Sequence, residues 1–209
     1  MGPMRPQRIP LFPLNVVLLP GADLPLHIFE PRYRGMVREC LSSKSLFGMV
    51  LAIEDGVAGV GCTAEIIEVV QRYEDGRLDI LTAGRDVFRV VKLFSQEPLL
   101  EARVEYLEDE EEPLVAAAQK KLIELYEVCH TIVFENCPKD LAPEDGGPLS
   151  YAITAALPLE LLWKQQILEL RSESERQARL TAYLRDWAPH LQKKKVAQQR
   201  AGSKAVGLN

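Results

Sequence analysis

Apolar residues in the first half of the chain come in short runs broken by turn residues, whereas in the second half they recur at helical spacing. Runs at 15–19, 46–53, 64–70, 78–82, 87–94 and 99–107 are rich in branched side chains and predict β-strands. Asp55-Gly56 and Asp75-Gly76 supply turns that tolerate positive φ, and the second predicts a hairpin joining 65–73 to 77–82. Residues 99–106 alternate, with Leu100, Ala102, Val104 and Tyr106 on the face expected to be buried. One helix interrupts this region: Pro31 suits a first helical turn, and Tyr33, Val37, Cys40 and Leu41 then share one side.

The acidic run 108–112 and Pro113 mark a change of period. Leu114, Ala118, Leu122, Leu125, Cys129, Ile132 and Val133 predict a helix of about five turns. Residues 136–148 read as a long loop, 150–157 as a short helix, and 158–170 as a third helix. Ser172 and Glu175 have capping-box spacing for a fourth, ended by Pro189. The expected organisation is a β lobe over 1–110, a helical lobe over 113–189 and a disordered basic tail over 190–209.

The net charge of −5 is unevenly placed. Lys193, Lys194, Lys195, Arg200 and Lys204 give the last twenty residues +5 with no acid, so the remainder carries −10. An acidic body repels phosphate backbones, so no nucleic acid is expected on the folded part. Cys40, Cys62, Cys129 and Cys137 are scattered, with neither CxxC pairs nor clustered histidines, which predicts buried thiols and no zinc site. His27, His130 and His190 are likewise assigned to packing or solvent contacts. No apolar run approaches the length of a membrane span, and the proline-broken start lacks the features of a secretory signal, so a cytoplasmic protein is expected. There is no phosphate-binding GxxxxGK[ST] loop, no GxSxG elbow and no HExxH helix; the expectation is a non-enzyme without cofactors.

Several segments carry a resemblance. Ile9-Pro10-Leu11-Phe12-Pro13-Leu14 and Leu24 through Arg34 are similar to the P-L-F-P-L and L-P-L-x-I-F-E-P-R-Y signatures of the N-terminal domain of Lon proteases. Phe47-Gly48-Met49-Val50, Val60-Gly61-Cys62-Thr63-Ala64, Asp75-Gly76-Arg77 and the Gly84–Val90 stretch follow the same family in order, with Val87 where its pattern has an arginine. The resemblance implies an α+β fold: a PUA-like β pseudobarrel with one inserted helix, followed by a C-terminal helical bundle. It also implies recognition of unfolded or degron-bearing polypeptide, and a stand-alone bacterial form of the domain without motor or peptidase.

The 24–34 signature reads chiefly as architecture: Pro25 and Pro31 stiffen the chain, Phe29 enters the core, and Glu30, Arg32 and Arg34 form ion pairs. The competing reading is direct contact with a bound peptide, for which Phe12, Leu26 and Phe29 are the candidates. The expected partners are unfolded or misfolded polypeptides, or a protease complex for which the chain is a docking subunit. RNA binding through the basic tail is a third alternative, and no membrane partner is expected.

Overall fold

A computed structural model describes residues 5–96, 99–136, 138 and 147–206, with side chains omitted at 95–96 and 198–206. Cys137 and most of the expected 136–148 loop lie outside the described residues. Strands β1 (Arg8–Leu14), β2 (Asp23–Ile28), β3 (Phe47–Ile53), β4 (Gly56–Val57), β5 (Val60–Arg72), β6 (Leu78–Gln96) and β7 (Leu99–Tyr106) are followed by four of the five helices. Helix α1 (Pro31–Ser43) lies between β2 and β3, and α2 (Ala116–Phe134), α3 (Leu149–Ala156), α4 (Leu161–Glu169) and α5 (Glu173–Val206) come after the strands.

The chain divides into two compact units. The first comprises Met1–Asp109 and Pro158–Arg171. In it β1, β7, β6, β5 and β3 pair in turn, and a parallel β1–β3 pairing closes the ring into the expected barrel. Two prolines are tolerated in β1 because its halves are served by different neighbours. Residues 8–11 pair with β7 and residues 11–14 with β3, so Pro10 and Pro13 each have a strand on one side only. Ile9, Leu11, Val50, Phe88, Ala102 and Val104 fill the barrel. Phe88 packs against two glycines: a Cβ on Gly48 or on Gly61 would lie 2.8 or 2.7 Å from its ring. The Gly48 and Gly61 motif positions are therefore sites of close packing.

Three expectations for this unit change. Residues 15–19 form an irregular segment in which Val17, Leu18 and Leu19 are buried; apolar content there reports burial and not strand pairing. The expected strands 78–82 and 87–94 are one continuous strand, because β2, β5 and β7 serve successive stretches of β6. Helix α4, assigned by periodicity to the helical lobe, groups with the barrel: the Gln165 side-chain amide donates to the Val60 carbonyl at 3.0 Å. Helical spacing says which face is apolar, not which neighbour covers it.

The second unit comprises Glu110–Leu157 and Ser172–Asn209. Leu122, Tyr126 and Cys129 of α2 are buried, as are Tyr151 and Ile153 of α3 and Leu180 and Leu184 of α5. Ser172 caps α5, its Oγ accepting from the Glu175 backbone N–H at 3.0 Å. The Glu175 carboxylate does not complete the capping box but pairs with Arg179 at 2.8 Å. Helix α5 continues past Pro189, where sequence places its end, so residues 190–206 are helical and not an unstructured tail. Proline forfeits one backbone bond, and the His190 ring contacts the Asp186 carbonyl at 2.8 Å in the same turn.

Helix α5 is anchored by a buried polar cluster that sequence patterning did not reveal. Arg176 is fully buried; its Nε donates to Ser150 Oγ at 2.9 Å and to Glu173 Oε2 at 3.0 Å, and its guanidinium lies 4.3 Å from the Tyr151 ring centroid. Gln177 donates to Glu173 at 2.8 Å. Spacing puts Glu173, Arg176 and Gln177 on the side of buried Leu180 and Leu184, but nothing in their polar residue types marks them as interior.

Candidate functional site

The three peptide-contact candidates separate sharply. Phe12 is buried, 4.0 Å from the Tyr33 ring and 6.1 Å from Phe47, and serves the core. Leu26 is half-buried on the inner face of β2. Phe29, assigned to the core by the architectural reading, is 59% exposed. It follows directly on β2, whose alternation ends at buried Ile28, so the next side chain emerges on the opposite side. Of the expected ion pairs, Arg32–Glu30 forms at 2.8 Å, while Arg34 instead donates to the Asp75 carbonyl at 2.6 Å.

Phe29 borders a surface built by three strands. β2 pairs with the first part of β6, and β6 pairs on its other side with the second part of β5. Register places Asp23, Ala83 and Glu65 in one outward row, then Pro25, Leu81 and Glu68, then His27, Asp79 and Gln71. Two β-bulges interrupt β5, one between Ile66 and Glu68 and one between Val69 and Gln71. The extra residues, Ile67 and Val70, are 48% and 59% exposed, whereas Ile66 and Val69 are half-buried. The bulges thus add two branched apolar side chains to the outward set. A period-two pattern read from sequence places 66, 68 and 70 together and cannot find this face.

An aromatic group closes one end of the face. His27 stacks on Phe29 with centroids 6.1 Å apart and meets Tyr73 edge-on at 5.9 Å. Asp79 holds both partners, its oxygens lying 2.5 Å from His27 Nδ1 and 2.6 Å from the Tyr73 hydroxyl, which donates. The Tyr73 bond, then the His27 contact, hold the Asp79 carboxyl below its ordinary range. The same hydrogen bond to Asp79 raises the Tyr73 phenol above its ordinary value. Arg77 lies 4.9 Å from the Tyr73 ring and is paired with Asp75 at 2.7 Å.

The arrangement offers apolar and aromatic contact, and hydrogen bonding at its rim. Beyond Ala64, β5 pairs with β6 alone among the described residues. Its bulges twist that edge away from regular pairing, the usual means of blunting an open edge, so the outward side chains are the accessible feature. The second unit holds a separate cleft of about 300 Å³, lined by Ala118, Lys121, Gln177, Ala178, Thr181 and Arg185 among others. Among the described residues no group of His, Cys, Asp and Glu is placed to hold a metal ion. Cys40, Cys62 and Cys129 are buried free thiols, and burial pushes the Cys129 thiol up to about 11. No described helix is long and apolar enough to cross a membrane.

Comparison with known proteins places the chain in a family. Residues 8–186 match the family model of the ATP-dependent protease La (LON) substrate-binding domain. A Lon N-terminal domain protein from Xanthomonas campestris superposes with a TM-score of 0.68 at 26% identity, covering 84% of this chain and 98% of that one. The N-terminal domain of the Mycobacterium avium complex Lon protease shares the fold, with a TM-score of 0.61 at 20% identity and coverage of 86% and 98%. Lon protease of Dictyoglomus thermophilum is 25% identical over 194 residues, which cover 86% of this chain and 24% of that protein. Protein cereblon of Xenopus tropicalis is 36% identical over 108 residues, 48% of this chain and 24% of that protein. The chain thus spans about a quarter of the length of these curated relatives. With a family model covering most of its length and the fold of solved Lon N-terminal domains, the chain belongs to the Lon substrate-binding domain family.

Proposed function

We propose that this chain binds unfolded or misfolded polypeptide segments through the outward face of β2, β6 and β5, and performs no chemistry on them. The observation that carries the reading is the exposed set Phe29, Ile67, Val70 and Tyr73, bordering Pro25 and Leu81, on a domain of a substrate-binding family. Unfolded chains expose apolar side chains that folded proteins bury, and a shallow apolar face is the simplest receptor for them. The face spans about 13 Å along the strands and about 10 Å across them, room for about four extended residues. Affinity for one segment is accordingly weak, and tight capture needs several segments of a client.

The test is fluorescence anisotropy with labelled, reduced casein. The wild-type chain is expected to bind at micromolar concentration, and Phe29→Ala combined with Val70→Ser to weaken binding about tenfold or more while circular dichroism is unchanged. Equal binding by the double variant would remove the face from the proposal.

A docking role toward a protease or other complex is the second reading. The cleft beside α5 supports it, with Leu114 and Val115 46% and 63% exposed on the approach to α2. Co-purification from native lysate separates the two: one stoichiometric partner supports docking, and a heterogeneous client set supports polypeptide capture.

A further inference from the structure

The outward rows of the candidate face carry four carboxylates, Asp23, Glu65, Glu68 and Asp79, and neither lysine nor arginine. Asp23 and Glu68 are exposed, and among the described residues no ion pair involves either. Glu65 is paired with Arg85 at 2.6 Å, and Asp79 is shared by Tyr73 and His27. Arg77, 4.9 Å from the Tyr73 ring, is paired with Asp75. Arg72, the remaining arginine of this stretch, is exposed but in register with Leu78, so strand alternation sets it off the outward rows. The apolar side chains Pro25, Leu81, Ile67 and Val70 therefore sit among negative charge that the protein itself leaves partly uncompensated. Phe29 and Tyr73 add π faces, which favour cations as well.

We infer that the face selects extended segments in which lysine or arginine flanks apolar residues, and disfavours segments flanked by aspartate or glutamate. This rests on the proposed use of the face for polypeptide binding and specifies the class of segment it takes. Apolar contact is indifferent to flanking charge; the carboxylates on neighbouring rows make the choice. Like charges brought together on an exposed surface weaken binding, and opposite charges speed encounter and strengthen it. The net charge of −5 acts in the same direction over longer range.

Three fluorescein-labelled peptides with one common apolar and aromatic centre, flanked by lysine, glutamine or glutamate, provide the test. The order of affinity expected is lysine, then glutamine, then glutamate, with about tenfold between the extremes at low salt, the size expected of a few exposed pairs. That spread is expected to shrink as ionic strength rises through the range where exposed charges are screened. An Asp23→Lys, Glu68→Lys double variant, altered only at exposed positions, is expected to narrow the spread or reverse it. Equal affinities for all three peptides would overturn the charge preference while leaving polypeptide binding intact, as would a spread in the double variant as wide as that of wild type. Absence of binding by every peptide to folded wild-type chain would overturn the face itself.

Discussion

Phe12 and Phe29 belong to two neighbouring sequence signatures yet carry opposite burdens. Phe12 →Ala removes a ring buried between Tyr33 and Phe47 and is expected to cost about 3–5 kcal/mol, read as a lowered denaturant midpoint. Phe29→Ala is expected to leave that midpoint within about 0.5 kcal/mol of wild type, because the ring is mostly exposed, and to act on peptide affinity instead. The Asp79–Tyr73 bond gives a second residue-level expectation. Asp79 has a lowered folded pKa, so its contribution to stability is present above the ordinary carboxylate range and lost as pH falls through the depressed value. Tyr73 has a raised one, so its contribution is present below the ordinary phenol range and lost as pH rises through the higher value. Tyrosinate absorbance, with Tyr73→Phe as the difference control, is expected to show Tyr73 ionising later than ordinary tyrosine. Asp79→Ala is expected to remove that delay.

Among the elements, β5 and α5 show how tertiary demand overrides pattern. Gly61 on β5 lies where a Cβ would overlap the Met49 carbonyl oxygen and crowd Phe88 and Val50. Gly61→Ala is therefore expected to destabilise by about 1–3 kcal/mol despite alanine's better intrinsic fit to a strand, with thermal unfolding as the measurement. On α5, Arg176→Met leaves the Glu173 carboxylate buried without its charged partner and is expected to cost about 3–5 kcal/mol. A double Arg176→Met, Glu173→Gln change is expected to recover part of that loss, since no uncompensated charge then remains. An additive double-mutant cycle would contradict the coupling read from the 2.9 Å contact.

At the scale of the whole molecule, the two units have separate cores and separate anchoring devices. Local opening is expected to follow that division. In Arg176→Met, amide hydrogen exchange is expected to rise in α2, α3 and α5 while β1, β3 and β6 keep their protection. Uniform loss of protection would mean that the units unfold as one. Helix α4 is the informative element: its exchange is expected to track the barrel, with which it groups, and not the helices adjacent in sequence.

Local rules sufficed where the physical cause was local. Turn glycines placed the β5–β6 hairpin, alternation placed β7, Pro31 placed the start of α1 and Ser172 capped α5. The ordered motifs pointed to the family, because each reports a packing or turn requirement repeated along the chain. The candidate face was not legible for the opposite reason. Whether Phe12 or Phe29 is exposed depends on which strands flank them, and Ile67 and Val70 reach the surface only because β6 is one residue shorter at each bulge. The burial of Arg176 and the grouping of α4 likewise depend on distant neighbours. Sequence alone determined the strands' composition, the turns and the family. Tertiary structure decided which apolar side chains remain available to a partner, since exposure is a property of the covering neighbours and not of the residue.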